Sequence, residues 1–173
     1  YQQENRPWTY RLQDLKQWGC TGIVAADHHS PEEARLIAEV GVPVVVLLQP
    51  HPMRQPSYPL HRFSCVVWDS AAIGRMAADY FLERRHTRFA FVGDTRAETY
   101  WSLERERSFV GALRRAGRTE CPCYGPCTEA ERRDWAVERP RMAAWLRALP
   151  KPVALFAPND RRGKQVLDAC VDA

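Results

Sequence analysis

The chain has 173 residues, 45% hydrophobic and 27% charged, with a formal net charge of +4. That length suits one sizeable domain or two small lobes of ordinary globular composition. No apolar run approaches the roughly 20 residues of a membrane helix, and the 25 basic residues are spread along the chain and not gathered into a nucleic-acid patch.

Residues Tyr1–Tyr10 are polar and aromatic without clear period, and Leu12, Leu15, Lys16 and Trp18 suggest a brief helix that stops at Gly19. Gly22–Ala26 is a short β-branched run ending at Asp27-His28-His29. Ser30–Gly41 then carries a full set of helix signals: Ser30 as N-cap, Pro31 at the first helical position, Glu33 closing a capping box, Gly41 as the left-handed stop. Pro43–Leu48 is a continuous apolar strand of the parallel-sheet type. Prolines 50, 52, 56 and 59 make the next stretch irregular, and Cys65–Trp68 is the following strand.

Asp69-Ser70 are helix-capping types. After them Ile73, Met76, Ala77, Tyr80 and Phe81 share one helical face, and Arg84-Arg85-His86 place positive charge in the last turn, where the helix dipole favours it. Arg88–Gly93 is a β-rich run, so strand, helix and strand form a parallel crossover. A polar loop, Asp94–Thr99, leads to a helix over Leu103–Ala116 that presents Phe109, Val110 and Leu113 and stops at Gly117. Glu120–Gly125 is a candidate strand. Trp135, Met142, Trp145, Leu146 and Leu149 define another helical face, which Pro140 either kinks or divides. Val153–Ala157 is the last strand, and Asn159-Asp160 open a helix through Val166, Leu167 and Cys170. Strands alternate with helices from Gly22 onward, which predicts an α/β fold with parallel sheets covered on both faces. The final helix has no closing turn and the first residues read as the tail of a helix, so the expectation is a truncated fold.

In such folds ligands bind beyond the carboxyl ends of the strands. The residues there are Asp27, His28, His29, Gln49, Asp69, Asp94, Arg96, Trp101, Arg105, Asn159 and Asp160. Carboxylates, an amide and a guanidinium beside an aromatic ring suit a polyhydroxylated ligand, whose hydroxyls need donors and acceptors and whose C–H face needs a ring. Each residue also has a plainer role: Asp69 and Asp160 as helix caps, Trp101 as core, the histidines as loop residues. Within Glu104-Arg105-Glu106-Arg107, pairing along the helix explains most charges, and spacing does not choose between Arg105 and Arg107.

Six cysteines are present. Cys20, Cys65 and Cys170 lie in or beside apolar runs and read as small buried thiols. Cys121, Cys123 and Cys127 form a C-x-C-x3-C cluster that could hold a metal or a disulfide. Zinc would want a fourth ligand, and none follows at a finger-like spacing, so reduced thiols in a Pro/Gly-punctuated connection are the expectation. There is no G-x-S-x-G, no P-loop and no G-x-G-x-x-G after a strand. Asp69 and Asp160 could form a carboxylate pair, but nothing supplies a nucleophile or a positioned base, and the expectation is a protein that is not an enzyme, without cofactor or metal.

From Asp69 to Gly93 the pattern D-S-x-x-x-G-x-x-A-x-x-Y-F-x-x-R-x-H-x-R-F-A-F-V-G resembles the crossover of sugar-responsive repressors of the lac-repressor type and of their periplasmic sugar-binding relatives. Two further stretches, Y-W-S-L-E-R-E-R-S-F and W-L-R-A-L-P-K-P-V-A-L-F-A-P-N-D-R-R-G-K-Q-V-L-D-A-C, are similar to the sensor domain of the xylose-type branch of regulators. The resemblance implies a periplasmic-binding-protein-like (type I) α/β fold of two lobes, residues 1–68 and 69–173, each a doubly wound parallel sheet and each incomplete. It implies D-xylose or a related monosaccharide as effector, bound between the lobes by Asp69, Trp101, Arg105, Asn159 and Asp160. It selects Arg105 over Arg107, because the arginine four residues before Phe109 reaches the effector in lac-repressor relatives. It further implies a cytoplasmic homodimer with no membrane contact, acting on DNA through an AraC-type helix-turn-helix domain C-terminal to the sensor. A transport-type periplasmic sugar-binding protein of the same fold is the alternative, and a small α/β enzyme a more distant one.

Overall fold

The computed structural model describes residues 14, 17, 19–26, 31–47, 55–94, 100–125, 128, 130, 131 and 134–173. The chain divides into two compact units, residues 1–68 and 69–173.

In the first unit, β1 (Ile23–Ala25), α1 (Pro31–Glu39), β2 (Val44–Leu47) and β3 (Ser64–Val66) follow one another, and the strands pair in parallel in the order β1-β2-β3. Ala34 and Ile37 of α1 pack on Ala25, Val44 and Val46, with Leu60 closing the same cluster. Gly41 has φ +83°, the left-handed conformation expected of a helix stop. Ser30, and with it the capping box, lies outside the described residues, as do Asp27, His28, His29, Gln49 and most of the segment before Gly19. Alternate strand residues point to opposite sides, so α1 buries Ala25, Val44 and Val46 while Val24 and Val66 remain 70% and 57% exposed.

The second unit holds α2 (Ser70–Glu83), β4 (Phe89–Val92), α3 (Tyr100–Arg115), β5 (Cys123–Tyr124), α4 (Trp135–Ala148), β6 (Ala154–Phe156) and α5 (Asp160–Cys170). Its parallel strands run in the order β5-β4-β6. The central strand β4 is buried throughout. Phe89 and Phe91 join the cluster of Ala78, Phe109 and Leu113 from α2 and α3. Ala90 and Val92 join Met142, Leu146, Val166 and Ala169 from α4 and α5. One strand thus serves two cores, which is why its sequence is apolar without alternation.

Several sequence expectations need correction here. In α2, Met76 and Tyr80 are 66% and 50% exposed, and the buried residues are Ser70, Gly74 and Ala78. Small residues carry little hydrophobic signal, yet they let α2 approach its neighbour. Arg84, Arg85 and His86 lie beyond the last turn; Arg85 takes φ +60° in the chain reversal, and Arg84 Nη1 still donates to the Tyr80 carbonyl at 3.2 Å. Helix α3 begins at Tyr100, ahead of the predicted Leu103, whereas Gly117, φ +75°, stops it as expected. Pro140 does not divide α4. Cys170 is exposed and Cys20 and Cys65 are half-buried, so none of these three is a fully buried thiol. Among the described residues no helix is long and apolar enough to cross a membrane.

Candidate functional site in the second unit

In the sheet order β5-β4-β6 the chain leaves β4 for one side and returns to the other by way of α4. The strand order therefore reverses between β4 and β6, and in open α/β sheets such a reversal opens a crevice beyond the strands' carboxyl ends. Gly93-Asp94 leave β4 and Ala157-Pro158-Asn159 leave β6 at this place.

The side chains there are linked. Asn159 is the N-cap of α5, its Oδ1 accepting from the Arg162 backbone N–H at 2.8 Å. Its Nδ2 donates to Asp94 Oδ2 at 3.4 Å. Arg161 donates to the same oxygen at 2.9 Å. On α3, the Arg105 guanidinium donates to the Pro158 carbonyl and lies over the Trp101 ring, 4.9 Å from its centroid. Arg105 Nε is buried without a hydrogen-bond partner, and burial lowers this guanidinium's pKa below its ordinary value. Arg107, by contrast, is exposed.

A buried ion pair lies beneath. Arg162, fully buried, meets Glu138 of α4 at 2.6 and 2.9 Å and donates through Nε to the Gly93 carbonyl at 2.9 Å. The guanidinium carbon lies 5.5 Å from the centroid of the Tyr124 ring. Burial, chiefly, and the Glu138 carboxylate push the Tyr124 phenol above its ordinary range. Arg162 thereby ties the end of β4 to α5 and α4 directly under the crevice.

Of the five predicted site residues, Trp101, Arg105 and Asn159 meet around the β4 and β6 ends. Asp160 is exposed at the first position of α5. Asp69 is exposed at the start of α2, where its Oδ1 accepts from the Ala72 N–H at 2.7 Å. Among the described residues no hydrogen bond or ion pair joins Asp69 or Asp160 to the Arg105–Asn159 group. Phe109 is core, stacked in a tilted arrangement 5.2 Å from Phe156. Sequence reasoning did not single out Arg161, Arg162 or Glu138. The two arginines directly follow Asn159-Asp160 and were legible as strand-end neighbours; Glu138 is 24 residues away, with no local signal.

Cys127 lies outside the described residues. Cys121 and Cys123 are free thiols, with Cys123 Sγ 3.4 Å from the Cys121 carbonyl. Among the described residues no group of three or more His, Cys, Asp or Glu side chains could hold a metal ion. An open groove of about 430 Å³ runs along α2 past Arg75, Met76, Asp79, Tyr80 and Glu83, and it lacks the convergent polar set of the β4–β6 crevice.

Residues 78–173 match the model of the periplasmic binding protein-like domain. This chain belongs to that family. The chain is 25% identical over 163 residues to the xylose operon regulatory protein of Haemophilus influenzae, covering 93% of this chain and 40% of that protein. It matches the solved structure of the xylose-binding transcription activator xylR with a TM-score of 0.68 and 25% identity, over 88% of this chain and 39% of that one. A regulatory protein of the LacI family from Chloroflexus aggregans superposes with a TM-score of 0.66 at 16% identity, over 99% of this chain and 58% of the other, a likeness of fold. The chain spans about 40% of the length of the curated relatives it matches.

Proposed function

We propose that this chain is the effector-binding part of a bacterial transcriptional regulator, that it takes D-xylose or a closely related monosaccharide, and that it is not an enzyme. The observation that carries the reading is the convergence of Trp101, Arg105 and Asn159 at the strand reversal between β4 and β6. An aromatic ring with a guanidinium over it and a pinned amide offers a C–H-binding face and hydrogen-bond donors, which is what a sugar requires. The likeness to the xylose operon regulatory proteins supports the choice of sugar. In this reading residues 1–68 and 69–173 are the two lobes of the sensor, Asp69 at their junction and Asp160 beside Asn159 complete the contacts, and the sugar binds the closed arrangement better than the open one. DNA is bound by a separate helix-turn-helix domain, and the working form is a cytoplasmic homodimer.

The test is a tryptophan-fluorescence titration of the intact protein with D-xylose, other pentoses and hexoses, in which Trp101 is a built-in reporter. Saturable binding of one pentose is expected, weakened at least tenfold by Arg105→Ala and by Asn159→Ala; loss of hydrogen bonds to a sugar hydroxyl has a cost of that order or more. Absence of a response to every sugar, or undiminished binding in both variants, overturns the reading.

A further inference from the structure

Asp94 leaves the end of β4, where a loop carboxylate would ordinarily be solvated, yet its side chain is wholly shielded from solvent while its partner Arg161 is half exposed. Its backbone N–H donates to Ser102 Oγ at 3.0 Å, and Ser102 is buried in the first turn of α3. Its Oδ2 accepts from Arg161 at 2.9 Å and from Asn159 Nδ2 at 3.4 Å. The Asn159 amide is therefore held at both ends. The Arg162 N–H, 2.8 Å from Oδ1, settles which end is oxygen, and Asp94 draws the nitrogen end towards the crevice.

We infer that Asp94 is a positioning residue of the ligand site. It fixes the Asn159 side chain in the one orientation that turns an N–H towards the crevice beside the Arg105 guanidinium, and Arg161 serves to keep water off the carboxylate. The inference rests on the proposed function and adds a chemical requirement to it. Asp94 takes one Nδ2 hydrogen and the helix N-terminus one lone pair of Oδ1, so the remaining Nδ2 hydrogen calls for an accepting oxygen on the ligand, a hydroxyl or a ring oxygen. An ammonium or other donor-only group facing that N–H is disfavoured because it would leave two donors opposed.

The experiment is a double-mutant cycle on D-xylose affinity in the intact protein, pairing Asp94→Ala with Asn159→Ala and recording thermal unfolding of each variant. Asp94→Ala is expected to weaken binding about tenfold in the unsubstituted background and less than threefold when Asn159 is already alanine. Should Asp94→Ala fail to fold, Asp94→Ser removes the reach and charge with less loss of polarity, and the same non-additivity is expected. Losses that multiply in the double variant, or unchanged affinity in both Asp94 variants, overturn the inference. A crystal structure of the sugar-free Asp94→Ser protein separates this inference from the proposed function: an Asn159 amide turned away from its present position supports the positioning role, an unmoved amide overturns it, and neither outcome depends on which ligand binds. A failure of the unsubstituted protein to bind any sugar overturns the proposed function and the ligand requirement with it.

Discussion

Arg162 and Glu138 are 0% and 2% exposed and share two hydrogen bonds, so neither charge is solvated and each depends on the other. Replacing a buried ion pair by apolar groups is often neutral, but removing one partner strands the other at a cost of about 3–5 kcal/mol. Glu138→Leu is therefore expected to lose about that much stability in urea unfolding, and adding Arg162→Met is expected to return part of it. The return is incomplete because the Gly93 carbonyl then loses its donor as well. A double variant no more stable than Glu138→Leu alone would mean the pair is not the dominant contribution of these residues. Neither residue type hints at this partnership, since arginine and glutamate on helices are ordinarily surface residues.

The close crossing of α2 and α3 is decided by one glycine. A Cβ at Gly74 would come within 2.9 Å of Ser108 Cβ and 3.0 Å of the Phe109 backbone nitrogen, and closer still to the Arg105 carbonyl. Alanine is favoured over glycine in a helix by about 1 kcal/mol, but two of these obstacles are backbone atoms that cannot step aside, and overpacking costs about 1–3 kcal/mol. Gly74→Ala is expected to lower stability on balance, by thermal or urea unfolding, and to displace Arg105 from the Pro158 carbonyl and so weaken sugar binding. A variant as stable as the original and with full affinity would show that the helices separate freely. The same crossing explains why only part of the helical face expected of α2 packs. Periodicity weights Met76 and Tyr80, which stay exposed, whereas Ala77 and Phe81 of the same predicted face pack on the core beside the buried Ser70, Gly74 and Ala78. Where packing follows large side chains, as with Phe109 and Leu113 on α3 or Met142 and Leu146 on α4, the pattern led to the buried residues.

At the scale of the whole molecule, the chain forms two units, each with its own parallel sheet and core. The proposed sensor works by bringing such units together around a ligand, which shifts an equilibrium only as far as the closed form binds better. In small-angle scattering of the intact protein, saturating D-xylose is expected to lower the radius of gyration, with an unfolding temperature that rises as the sugar is added. A rise in unfolding temperature without compaction would mean that one unit binds the sugar alone.

Alternation of apolar runs with helical periods, the capping residue Asp69, the stops at Gly41 and Gly117 and the strand-end Asn159 are local properties, set by backbone dihedrals and side-chain period, and the sequence by itself determined them. So it determined the α/β class and the list of residues from which a site could be drawn. Which of those residues meet was decided by the sheet order, a long-range matter of which strand edge each crossover returns to. That order puts Asp94 beside Asn159 and Arg161, residues 65 and 67 positions away, and seats Arg105 against Pro158, 53 positions away. Burial of Arg162 against Glu138 and the narrow passage at Gly74 were likewise decided only in tertiary structure, because each depends on the distance between two helices that no local pattern encodes.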